Sequence, residues 1–252
     1  MVGLYLILND YSEGRFPPRF KDQQKAYDAE IEYICSQPGI SIAEMADAEM
    51  RKPFWSVPAV RRYLNNFLEL VGVFEALGLQ SPQKLLELGC GTGWTAELLA
   101  LMQYNVLGTS ISFHEIQIAL LRADSLEAKQ LNAELEFRTS PMETVDRVVQ
   151  DRLPFDGVFV FEALHHAYDW RQALQASYRC LKPGGWLIIA NEPNVLHTFI
   201  AYRGAVLSNT HELGFTRTAI VRQLKTIGFR NIRNFNQASN FYLWPHWLAA
   251  QK

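Results

Sequence analysis

The feature that most constrains this chain is an apolar run that passes directly into glycines, Leu85-Leu86-Glu87-Leu88-Gly89-Cys90-Gly91-Thr92-Gly93, with helical spacing resuming at Trp94. Glycine adopts backbone conformations that a Cβ forbids. Three glycines within five residues at a strand-to-helix junction therefore permit both a sharp turn and close approach of a ligand to the main chain, and a merely structural turn is the weaker reading. The dinucleotide pattern G-x-G-x-x-G does not fit. Counted from Gly89 its third glycine falls on Trp94, and counted from Gly91 it falls on Ala96. A nucleotide or nucleoside other than a nicotinamide dinucleotide is indicated.

From Lys84 onward short apolar runs alternate with amphipathic stretches, the rhythm of βα units around a parallel sheet. Strands are predicted at 84–88, 105–110, 135–139, 155–161 and 186–190, with helices at 94–102, about 114–131 and 170–180. Lys182-Pro183-Gly184-Gly185 reads as a turn. A helix over 216–227 is closed by Gly228, then 229–235 alternates as a strand, and 241–248 is aromatic enough to form another. The first eighty residues read differently. Helical spacing recurs at 23–35, 42–51 and 57–77, and the last of these stacks Val60, Leu64, Phe67, Leu68, Val71 and Phe74 before a stop at Gly78. Breakers Gln37-Pro38-Gly39 and Arg51-Lys52-Pro53 separate the helices, and Phe16-Pro17-Pro18 opens a loop. The division is a helical cap over 1–80 and an α/β domain over 81–252.

A chain of 252 residues accommodates one such domain with its extension but hardly two full-sized ones. With 48% hydrophobic and 20% charged residues it should fold throughout. Its 24 basic and 26 acidic residues give a formal charge of -2, which supplies no attraction for a nucleic-acid backbone and favours a small-molecule substrate. Cys35, Cys90 and Cys180 are too scattered for a disulfide framework or a zinc site, which fits a reducing cytoplasm. The apolar start Met1–Leu8 lacks a basic flank and meets Asn9-Asp10 too early to span a bilayer, so neither export nor a membrane span is expected.

The glycine segment resembles the first motif of class I S-adenosylmethionine-dependent methyltransferases. Phe155-Asp156-Gly157-Val158 through Leu164-His165-His166 resembles the fourth-strand motif of their small-molecule members, and Leu181-Lys182-Pro183-Gly184-Gly185 the turn before their fifth strand. The motifs keep the family's order, and the resemblance covers about residues 80–240. It implies a Rossmann-like methyltransferase fold, with a mostly parallel seven-stranded sheet and helices on both faces, to which the helical spacing of the first eighty residues adds the N-terminal helical cap. It also implies S-adenosyl-L-methionine as cofactor, held by Glu87, Gly89, Cys90, Gly91 and Gly93. Glu87 would orient the loop and the ligand's amino group; its other reading is a carboxylate that caps loop amides.

Two positions depart from the family. Its acid at the end of the second strand, which grips both ribose hydroxyls, is here Ser110, and its acid after the third strand, which meets the adenine amino group, is Ser140. A neutral hydrogen bond contributes about 1 kcal/mol against roughly 1.5 to 3 for one to a charged group, so the ribose grip is weakened unless Glu115 reaches in from the next helix. Met142 would pack on the adenine face, or else belong to the core. Phe161 ends the fourth strand beside the cofactor. Glu162, His165 and His166 follow, where substrate and methyl group meet in the family; either histidine is a candidate general base or a brace for the loop. Glu192, His197, His211 and Glu212 read as loop hydrogen-bonding groups rather than a metal cluster, since their spacing fixes no geometry. The aromatic tail 241–247 is pocket wall, core or the face of a homodimer. The resulting expectation is a cytoplasmic enzyme that methylates a small molecule; the alternative is a noncatalytic or repurposed relative that binds another nucleoside or acts as a scaffold.

Overall fold

The computed structural model describes residues 2–13, 22–35, 42–131, 133–208, 210, 214–236 and 245–252. Four helices come first: α1 (Val2–Ser12), α2 (Gln23–Cys35), α3 (Ile42–Met50) and α4 (Val57–Leu77). The alternating part follows as β1 (Lys84–Leu88), α5 (Trp94–Leu101), β2 (Asn105–Ser110), α6 (Phe113–Ala128), β3 (Leu135–Thr139), the short α7 (Val145–Val148), β4 (Phe155–Phe161), α8 (Trp170–Cys180) and β5 (Leu181–Glu192). It closes with α9 (Leu196–Ile200), α10 (Tyr202–Ser208), α11 (Arg217–Ile227), β6 (Arg230–Asn234) and β7 (His246–Gln251). The seven strands form one sheet in the order β3-β2-β1-β4-β5-β7-β6, parallel except for β7, which runs antiparallel to both its neighbours. This is the expected Rossmann-like arrangement.

The central strands are apolar nearly throughout because both faces of the sheet are covered. Their period of two divides the core. Leu86, Leu88, Val158, Val160, Leu187 and Ile189 meet α8 and α11 residues such as Leu174 and Leu224 on one face. Leu85, Phe159, Phe161, Trp186 and Ile188 meet Phe67, Leu70 and Phe74 of α4 and Leu99 of α5 on the other. Helix α4 begins where the Ser56 hydroxyl accepts from the Ala59 N–H and ends, as expected, at Gly78 with φ 72°. Its buried stripe is nevertheless rotated from the predicted one. Leu68 is exposed, while Leu70 and Val73 turn inward, because the packing line through Phe67, Leu70 and Phe74 places Leu68 about 100° around the helix. Phe74 sits edge-on to Phe159, with ring centroids 5.6 Å apart.

Three further boundaries differ from expectation. Pro183-Gly184-Gly185 does not end an element but forms an irregularity within β5: Phe155 pairs with Leu181 and Gly157 with Trp186, so the extra residues are looped out along one strand. Helix α6 stops at Ala128, three residues early, where the chain turns through Gln130 with φ 56°. Strand β7 runs on to Gln251, and the predicted residues 241–244 lie outside the described set, as do Phe16-Pro17-Pro18 and Gln37-Pro38-Gly39. Trp247 is core, its ring 6.2 Å from that of Phe161, so this part of the aromatic tail is no external face. Among the described residues no helix is long and apolar enough to cross a membrane.

Gly93 shows how tightly the first βα turn is packed. Its φ is 79°, and a Cβ there would lie 2.6 Å from Cζ of Phe137 and 3.0 Å from Cβ of Ala119. Gly93→Ala should therefore destabilise the protein by roughly 1–3 kcal/mol, measured as a fall in the urea midpoint at unchanged slope; an unaltered midpoint would contradict this packing.

Candidate active site

In an open α/β sheet the strand order reverses beside the first strand, and the crevice there is bounded by backbone that has left the ladder. Here the reversal lies between β1 and β4. A cavity of about 360 Å³ opens at their C-terminal ends, walled by the glycine loop, by the residues following β2, β3 and β4, and by helices from the first eighty residues.

Glu87 occupies the end of β1 and is buried, with its Oε2 atom lacking a hydrogen-bond partner. Burial pushes its carboxyl up to about 8, against the opposing pull of the Ala96 N–H and the charge of Lys52. The loop glycines divide their work. All three have left-handed φ, at 67°, 54° and 79° for Gly89, Gly91 and Gly93. A Cβ on Gly89 would meet Met142 and Ala163 at 2.6 Å, whereas one on Gly91 would find only Oε1 of Glu115, at 3.5 Å, so Gly91 faces the open space. Cys90 ties the loop to β2 through its N–H on the Thr109 carbonyl at 2.8 Å; burial holds its thiol well above the usual range, which leaves it protonated.

At the end of β2 the Ser110 hydroxyl donates to Oε2 of Glu115 at 2.5 Å. The carboxylate missing from the strand is thus supplied from α6, and Glu115 lines the cavity. Its pKa is raised by burial and pulled back by the Ser110 hydroxyl and by Lys52. Ser140 is buried, its hydroxyl donating to the Pro141 carbonyl and its N–H to that of Ser110. Next to it, Glu143 accepts from the Asp169 N–H at 2.9 Å and from the Tyr27 hydroxyl of α2 at 3.0 Å. Burial and the nearby Glu143 charge raise the Tyr27 phenol above its ordinary value, so it stays a donor.

The turn after β4 is held by one carboxylate. Glu192, fully buried at the end of β5, accepts from the N–H groups of Ala163 and Leu164 at 2.7 Å each and from that of His165 at 3.2 Å, and it lies 3.0 Å from Nδ1 of His165. The same carboxylate thereby fixes the backbone that presents Glu162 and His166 to the cavity. Glu162 has φ 53° and pairs with Arg62 of α4 at 2.9 Å; His166 Nδ1 lies 3.4 Å from Glu30 of α2.

Of the residues singled out from the sequence, Glu87, Gly89, Cys90, Gly91, Ser110, Ser140, Met142, Phe161, Glu162 and His166 line this one cavity. His165 does not; it is buried against Glu192. Gly93 sits behind the loop against Phe137. Glu192 spends its oxygens on the backbone turn, His197 lies edge-on to His165, and His211 and Glu212 fall outside the described residues. Sequence reasoning missed the wall from the first eighty residues, Tyr27, Glu30, Lys52, Arg62 and Tyr63, and it missed Arg122. That buried guanidinium donates to the Thr92 carbonyl at 2.8 Å, to Glu97 at 2.5 Å, and to the carbonyls of Glu49 and Lys52 at 2.5 and 3.2 Å. The one available signal was an arginine on the inward stripe of α6.

A family model described as a methyltransferase domain matches residues 59–234. The ubiquinone biosynthesis O-methyltransferase of Paracidovorax citrulli is 27% identical over 157 residues, covering 62% of this chain and 63% of that protein. The enzyme of the same name from Alkalilimnicola ehrlichii is 33% identical over 125 residues, covering 50% and 48%. The matched part thus spans about half to two-thirds of these relatives' length. Among solved structures, magnesium protoporphyrin IX methyltransferase from Synechocystis with bound SAH superposes with a TM-score of 0.57 at 16% identity, covering 91% of this chain and 95% of that one. At that identity the likeness speaks for the fold.

Glu87 makes stability without ligand depend on pH. Its folded pKa of about 8 stands above the ordinary 4.5, so the folded protein keeps a proton that the unfolded chain releases. This contribution is complete below about pH 4.5 and is lost as pH rises through 8. Urea unfolding should show the wild type losing stability relative to Glu87→Gln between pH 5 and pH 9; a difference independent of pH would count against the burial of this carboxyl.

Proposed function

The chain belongs to the methyltransferase domain family, and from that premise we propose that it transfers a methyl group from S-adenosylmethionine to a small-molecule acceptor. The observation that carries this reading is the buried, half-satisfied carboxylate of Glu87 at the mouth of β1, which calls for a cationic ligand group. The wall around it supports the same choice. Among the described residues Glu30, Glu87, Glu115, Glu143 and Glu162 face the cavity with only Lys52 and Arg62 as fixed cations, a balance that suits a sulfonium and disfavours a pyrophosphate.

The cofactor would supply an electrophilic methyl on sulfur. Glu87 receives its amino group, and the backbone of Gly89 to Gly91 runs beside it. Ser110 and Glu115 together take the ribose hydroxyls, with Glu115 providing the charged acceptor that Ser110 lacks. Ser140 and Met142 border the adenine, and Phe161 flanks the reacting end. Tyr27, Glu30 and Arg62, from helices of the first eighty residues, wall one side of the cavity, and catalysis rests on aligning the two reactants within it.

His166 is the group in this wall suited to take a proton, since imidazoles exchange protons near neutral pH. Glu162, paired with Arg62, orients the acceptor, and His165 braces the turn through Glu192. Together with relatives named as O-methyltransferases, this supports an acceptor hydroxyl. We assign the enzyme to the cytoplasm, with no nucleic-acid partner. A homodimer would bury apolar side chains exposed at Leu4, Leu8, Phe199 and Ile200.

Calorimetric titration with S-adenosylmethionine and S-adenosylhomocysteine, with NADH as control, should give micromolar binding for the first two alone. Gly91→Arg should abolish it; unchanged affinity in that variant, or no binding by the wild type, would overturn the reading. His166→Ala should lower kcat by about 10²-fold while leaving the affinity for S-adenosylhomocysteine intact.

A further inference from the structure

The geometry points to Lys52 as the group that holds the carboxylate of the cofactor's methionine moiety, so that a residue of the cap completes the cofactor site. This rests on the methyltransferase reading above. An α-amino acid presents opposite charges on one carbon, and Glu87 answers only its ammonium. A complementary site therefore needs a cation across from Glu87. Lys52 lines the same cavity, and its charge acts on both Glu87 and Glu115. Its ammonium lies beside two rings that pack edge to face, 5.2 Å from the centroid of Tyr63 and 5.5 Å from that of Trp55. These rings place it without consuming its donors.

The other candidates in the wall are already committed. Arg62 is engaged with Glu162 at 2.9 Å, whereas the ion pair of Lys52 with Glu49 is long, at 4.0 Å. With Glu87 either protonated or paired with a ligand ammonium, Lys52 has that long contact and Glu115 as its acidic neighbours, and an incoming carboxylate completes the balance. The main chain is also fixed for the task. Arg122 donates to the Lys52 carbonyl and to that of Thr92 in the glycine loop, so one guanidinium sets the distance between Lys52 and the loop.

The test separates the amino-acid end of the ligand from its adenosine end. S-adenosylhomocysteine and 5′-methylthioadenosine share the adenosine thioether, but the second carries no amino acid. Calorimetry of Lys52→Met should show affinity for S-adenosylhomocysteine reduced tenfold or more, with affinity for 5′-methylthioadenosine kept within about twofold; Lys52→Arg should retain most of the first. Equal weakening of both ligands would reduce Lys52 to a structural role, and unchanged binding of both would remove it from the site, either result overturning the inference. If the wild type binds neither compound, the methyltransferase reading fails, and this inference with it.

Discussion

A buried guanidinium on α6 holds the parts of the site in register. Arg122 spends its donors on the glycine-loop carbonyl of Thr92, the Glu97 carboxylate of α5, the Glu49 carbonyl at the end of α3 and the Lys52 carbonyl in the turn after it. A planar, permanently charged fork suits this because several acceptors can be met at once from one fixed position. An uncompensated charge at that depth would be costly, so the groups that satisfy it are bound to remain together. The glycine loop and the segment that follows α3 are thereby positioned from one side chain.

Glu192 is its counterpart across the crevice. Where Arg122 gathers carbonyls, Glu192 gathers N–H groups and a ring nitrogen, and it does so at the end of the adjacent strand. Between them the backbone departs from relaxed geometry, with Glu162 and Asn191 in the left-handed region at φ 53° and 54°. Such conformations cost free energy and persist only where surrounding bonds overdetermine them. Glu162 directly follows β4 and lines the cavity, and Asn191 is the last residue but one of β5.

The sheet was legible because its information is local. Period-two burial in Leu85-Leu86 or Val158-Phe159 and the stops at Gly78 and Gly228 each express themselves within a few residues. The β1 carboxylate and the loop glycines were legible for the same reason, and Glu115 because one helical turn separates it from Ser110. Tyr27, Glu30 and Lys52 were not, since what defines them is a partner far along the chain: Tyr27 meets Glu143 across 116 residues, and the Lys52 carbonyl meets Arg122 across 70. Leu68 was misplaced for a different reason. Two adjacent apolar residues on one helix leave the buried stripe ambiguous until the opposing surface is known.

The cavity draws its two walls from different stretches of the chain. Glu87, Ser110 and Phe161 belong to strand ends that cannot shift without breaking ladder hydrogen bonds, whereas Tyr27, Glu30 and Arg62 stand on helices that contribute no strand to the sheet. Substitutions on the helical wall can reshape the space while the sheet stays as it is. The cavity is in this sense modular, with a fixed floor and an adjustable wall.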